Sequence, residues 1–211
     1  MPKQVDHQAR REHLAAALMR VAATTGLESV SLRHVAAEAG VTAGAVQHYF
    51  TSKDELMRFA MEAASAVYER RIGAAVAALG EDPAPRVLVG TVLGGLLPPE
   101  VSADAMPDPE GRVALAFLAY ASTRPDVAAG LAESNAALRA MVADHLRASG
   151  AEDPETTATA LVALTDGLAV QVLGAGLSPA TAAAVLDAQL DLAFAGDAGH
   201  PDRDRTSREP R

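Results

Sequence analysis

The chain has 211 residues, 49% of them hydrophobic and chiefly Ala, Leu and Val, with no Cys, no Trp and a net charge of −9 at neutral pH. The lack of Cys excludes a disulfide framework and a thiolate metal site, and no uninterrupted apolar run reaches the ~18 residues of a membrane span. Such a length holds one good-sized core or two small domains, and a chain rich in Ala and Leu, without sustained β-branched alternation, is expected to be all-α.

The first predicted helix runs from about Asp6 to Thr25, with Leu14, Leu18 and Val21 on one face and Gly26 ending it. Leu27 and Val30 lead to Ser31, an N-cap for a second helix that turns Val35, Ala36 and Ala39 inward and stops at Gly40. A third, short helix spans about Ala43 to Tyr49, with Thr42 as its N-cap. Ser52 and Glu55 form a Ser-x-x-Glu capping box, so a fourth helix starts there. No strong stop follows until Gly80, which gives a helix ~40 Å long at 1.5 Å per residue.

Further on, Asp82-Pro83, Asp108-Pro109, Asp153-Pro154 and Ser178-Pro179 each place a capping residue before a Pro suited to the first helical position. Helices are expected at about 84–97, 109–123, 126–148, 154–174 and 179–195. A loop is expected from Pro98-Pro99 to Pro107. The charged segment from Gly196 to Arg211 lacks large apolar residues and reads as disordered. The resulting division is a helix-turn-helix unit at 1–51, a larger helical domain at 52–195 and a tail at 196–211.

In the third helix Val46 and Phe50 face a core, while Gln47, His48 and Tyr49 crowd the remaining surface. A short helix held against a scaffold with polar side chains outward is how a helix-turn-helix offers its recognition helix to a DNA groove. The charge distribution agrees. Residues 1–60 carry seven Lys and Arg against six Asp and Glu, plus four of the six His, whereas the remainder carries eleven against twenty-one. Only the first segment suits a phosphate backbone.

The run Gly40-Val41-Thr42-x-Gly44-x-x-x-His48-Tyr49-Phe50-x-Ser52-Lys53-x-Glu55-Leu56 resembles the signature of the TetR family of bacterial transcriptional regulators. Ser31-Leu32-Arg33-His34-Val35-Ala36 also fits the start of that family's second helix. The resemblance is strong over residues 10–60. It implies a homodimer on a palindromic DNA operator, acting as a repressor released by a small molecule. Gln47 departs from a Tyr common in the family, and Gln can make a bidentate contact to adenine that Tyr cannot.

Given this motif, Lys53 is read as a phosphate ligand at the first turn of the fourth helix. Tyr49 is either a phosphate or sugar contact or a core ring beside Phe50. Thr42 serves as N-cap and phosphate ligand, and Gln47 and His48 are the candidates for base readout. Ser31 and Arg33 either hold backbone or are simply solvated. Gly44 is small either because DNA approaches there or because the helix packs closely on the first one.

In the acidic half, Tyr68, Thr91, Phe117, Tyr120 and Gln171 are candidates for a lipophilic effector pocket, since the family builds its pocket within these helices. The alternative for such stripes is plain core. The helix at 154–174 is apolar over more than one face, so it is either deeply buried or lies at an interface; the interface reading is favoured, and Leu161, Leu164, Leu168 and Val172 are read as a dimer interface. The role of Asp166 is left open. The His residues have no metal-ligand spacing, and no phosphate loop, His-Glu-x-x-His or nucleophile elbow is present. The expectation is therefore a non-enzyme without metal or cofactor, and with a polar N-terminus unlike a secretory signal, a cytoplasmic one.

Overall fold

The computed structural model describes residues 2–26, 30–99 and 109–195, and among them every regular element is a helix. The segment 27–29, most of the expected loop after Pro99 and the tail at 196–211 lie outside the described residues. Helix α1 (Pro2–Thr25) starts before the expected Asp6, and Pro suits an opening turn whose amide needs no partner. Its end is marked by Gly26 at φ 76°.

Helix α2 (Leu32–Glu38) is capped by the Ser31 hydroxyl, which accepts from His34 N at 3.2 Å. Gly40, at φ 67°, turns the chain into α3 (Ala43–Tyr49), where Thr42 accepts from Ala45 N at 3.2 Å. Helix α4 (Lys53–Ala77) follows without a break, its Ser52 hydroxyl accepting from Glu55 N at 3.1 Å. Its 25 residues extend roughly 37 Å.

Helix α5 (Pro85–Leu96) begins one Pro later than expected. Pro85 drives Ala84 out of the helical region, so Asp82-Pro83 cannot open the helix and Ala84 becomes a cap with no side-chain bond. Helices α6 (Pro109–Ala121), α7 (Pro125–Ala148), α8 (Pro154–Gly174) and α9 (Pro179–Phe194) all start at a Pro. Asp153 and Ser178 cap α8 and α9, accepting from Thr156 N at 3.3 Å and Thr181 N at 3.0 Å.

Two hydrophobic cores form. The first joins Leu14 and Leu18 of α1 to Val35, Val46 and Phe50, and does not stop at residue 51. Leu56, Met57 and Ala60 of α4 and Phe117, Tyr120 and Ala121 of α6 belong to it. The second packs Val89 and Leu93 of α5 against Val142 and Leu146 of α7, Leu161 and Leu168 of α8 and Leu186 and Leu190 of α9.

Between the cores α4 and α5 touch closely. A β-carbon on Gly95 would lie 2.5 Å from Ile72 Cγ1. Beside it the Arg71 guanidinium donates to the Gly95 and Leu97 carbonyls that end α5.

Helix α8 is long and apolar enough to cross a membrane. Here it lies along α7 and α9, and Thr165, buried in its middle, donates to the Leu161 carbonyl at 2.9 Å.

Candidate nucleic-acid interface and effector domain

Val46 and Phe50 are fully buried and fix the rotation of α3. That rotation leaves Thr42, Gly44, Gln47 and His48 exposed and Tyr49 half-buried. A β-carbon on Gly44 would meet nothing closer than Thr42 Oγ1 at 4.0 Å, so packing against α1 is not what requires a glycine there. Ser31 is spent on its cap and Arg33 is exposed. Lys53 is the first residue of α4, half-buried beside the end of α3. Tyr49 packs against the edge of the first core and keeps part of its surface exposed. It is flanked by His7 of α1, ring centres 4.9 Å apart, and by His48, edge-on at 5.1 Å.

Sequence reasoning missed what ties this head together. Arg11 lies over two rings, 4.8 Å from the centre of Phe50 and 4.6 Å from that of Phe59, and pairs with Glu55 at 3.5 Å. Glu55 in turn accepts from the Thr51 amide and hydroxyl, each at 2.8 Å. The expected capping box is thus half formed, its acid reaching back to Thr51. The visible signal was Arg11 one turn before Leu14 on the same face of α1.

The Thr51 hydrogen bonds, helped by Arg11 and Arg58, hold the Glu55 carboxyl below its ordinary value. A lowered carboxylate stabilises the fold above its unfolded pKa, and that contribution is lost as pH falls through the folded one. Melting curves of Glu55→Gln should therefore lie below wild type near neutrality and converge with it in acid. A constant gap across pH would overturn this.

The candidates for an effector pocket fall in different surroundings. Thr91 lines a groove of about 440 Å³ between α5 and α9, together with Gly90, Gly94 and Ala183. Phe117 and Tyr120 are buried in the first core, rings stacked at 6.1 Å. The Tyr120 hydroxyl donates to the Asp54 carboxylate at the start of α4, and Arg124 covers the ring at 3.6 Å. Tyr68 is half-buried with Arg71 4.8 Å over its ring, and Gln171 is exposed on α8. Helical spacing marked Phe117 and Tyr120 as a pair but carried no information about which core receives them.

The expected interface residues need correction in the same way. Leu161 and Leu168 are buried inside the chain's own second core, and Leu164 and Val172 pack against it. Leu161 and Leu168 therefore have little surface left to offer a second chain, whereas Leu164 and Val172 remain half-exposed. The apolar groups that α8 and α9 leave outward are Val170, Val185 and Leu192, the last 70% exposed. Asp166 also faces outward. Partial desolvation raises its carboxyl above the ordinary value, against the pull of Arg139.

Comparison with known proteins bears on both halves. Residues 14–59 match the family model for bacterial regulatory proteins of the tetR family. Residues 91–195 match the model for the C-terminal part of BetI-type transcriptional repressors. A transcriptional regulator from Rhodococcus sp. Rha1 superposes with a TM-score of 0.76 at 34% identity, covering 88% of this chain and 96% of that one. A regulator from Saccharomonospora viridis, solved in complex with choline, has a TM-score of 0.72 over 87% and 96% of the two chains, but at 21% identity this shows the fold alone. The HTH-type transcriptional regulator PksA of Bacillus subtilis is 50% identical over 62 residues, 29% of this chain. The match spans only 30% of that relative's length.

Proposed function

Since the chain belongs to the TetR family of bacterial transcriptional regulators, we propose that it is a homodimeric repressor that leaves a palindromic DNA operator when a small lipophilic molecule binds its C-terminal helices. The observation that carries the reading is the rotation of α3. Two buried anchors, Val46 and Phe50, turn Gln47 and His48 outward beside Lys53. In this reading Thr42, Tyr49 and Lys53 hold phosphates, Gly44 lets the backbone close on DNA, Gln47 and His48 read bases, and Ser31 and Arg33 flank the site on α2.

Outward Val170, Val185 and Leu192 supply the two-fold contact. Each recognition helix then enters the major groove one helical turn, about 34–36 Å, from its mate. Residues 1–51, with Lys53 at the start of α4, contribute the contacts, and the rest of 52–195 the dimer and effector functions.

The effector class follows from the supply of rings. A quaternary ammonium such as choline is held by several aromatic faces. Outside the head this chain has only Tyr68, Phe117, Tyr120 and Phe194. The Tyr68 and Tyr120 rings are covered by Arg71 and Arg124, and Phe117 is committed to the first core. That supply favours an uncharged apolar effector.

The test is DNA binding across salt. Lys53→Ala should weaken all duplexes alike and flatten the salt dependence by about one unit per bound head. Gln47→Ala should cost roughly 1–3 kcal/mol of discrimination at one base pair. A Lys53 variant that binds like wild type at every salt concentration would end the phosphate assignment.

A further inference from the structure

Helix α1 has one side that runs without interruption from the core to the DNA-facing edge of the head. His7, Arg11, Leu14 and Leu18 follow at spacings of four, three and four, so they line one face. Leu14 and Leu18 are fully buried, Arg11 is half-buried over Phe50 and Phe59, and His7 is exposed against Tyr49. The buried leucines set the register of the helix, so His7 cannot leave Tyr49 unless the core shifts or its own rotamer changes.

We propose that His7 is a further residue of the DNA interface, its imidazole donating to the backbone phosphate next to the one held by Tyr49. This rests on the reading of α3 as the recognition helix. Three features of the chain support it. Neutral or charged, an imidazole always keeps at least one N–H to donate. The exposed His7 ring lies at the last residue of α3, 4.9 Å from the Tyr49 ring that exposed His48 also meets. Arg10, three residues on from His7, is also exposed and makes no ion pair among the described residues, so this turn of α1 offers positive charge where a phosphate chain would pass.

The contact is also a means of fixing geometry. Tyr49 in contact with two imidazoles presents its hydroxyl from one rotamer, and neighbouring phosphates held by Tyr49 and His7 set how far α3 enters the groove. Phosphate contacts of this kind position a protein without reading sequence.

The experiment uses the full chain, the duplex that it enriches from a random-sequence library, and a scrambled duplex of equal length. His7→Phe keeps a ring against Tyr49 but has no donor, and His7→Ala keeps neither. Both variants should lose about three- to tenfold in affinity on both duplexes alike. Ethylation of one phosphate per half-site should block wild-type binding and cease to matter for either variant. If His7→Phe binds like wild type with an unchanged ethylation pattern, His7 is only a support for the Tyr49 ring and the proposal is overturned. If the wild-type chain enriches no duplex at all, the DNA-binding reading itself fails, and with it this inference.

Discussion

Replacing Leu168 with glutamate is expected to unfold the chain instead of splitting a dimer. Leu168 is 7% exposed within the second core. Loss of a buried Leu side chain costs about 2–5 kcal/mol, and an unpaired carboxylate in its place adds several more. Together these approach the 5–15 kcal/mol (roughly) by which folded domains are stable. Circular dichroism should show no cooperative thermal transition. Leu192→Glu is the contrasting variant: at 70% exposure it should leave the melting curve intact and shift sedimentation from dimer to monomer. A folded, monomeric Leu168→Glu protein would return that residue to the interface.

Tyr120→Phe should sever the operator from the effector while leaving each half of the chain folded. The hydroxyl ties α6 to Asp54, one residue from Lys53, and it is a bond to a charged acceptor. Such bonds are worth about 1.5–3 kcal/mol, comparable to the 1–3 kcal/mol (about 5- to 150-fold) typical of coupling between sites. The ring keeps its contacts with Phe117 and Arg124, so packing changes little. With any compound that releases the wild-type protein from DNA, the variant should show an affinity ratio near unity with and without it. A double-mutant cycle with Asp54→Asn isolates the bond from other effects. Release equal to wild type would mean that the signal travels along α4 alone.

The helices and their caps were legible because local chemistry sets them: Ser31, Thr42, Ser52, Asp153 and Ser178 all accept the amide that capping requires. The start of α5 was misplaced because two competing prolines stand one residue apart, and the rule for residues before proline decides between them. The recognition face was legible for the same reason as the helices, since Val46 and Phe50 are four apart and must share the buried side. What sequence could not supply was the partner of each apolar stripe. Leu168 and Leu192 are equally apolar on paper, yet one is buried in the second core and the other is 70% exposed. Phe117 and Tyr120 likewise joined the N-terminal core across some sixty residues of intervening chain.

The close passage of α4 over α5 limits how the head can move. Ile72 fills the volume that any side chain at position 95 would need, and Arg71 is bonded to the carbonyls at the end of α5. Sliding or separating the two helices would break both contacts, so they are constrained to travel as a single slab. A displacement of that slab then reaches the head through the first core that α4 shares with α1 and α6, as a tilt in place of an extension. Two heads tilting on a shared two-fold axis change the angle at which their recognition helices meet the grooves, even if the distance between them is unchanged.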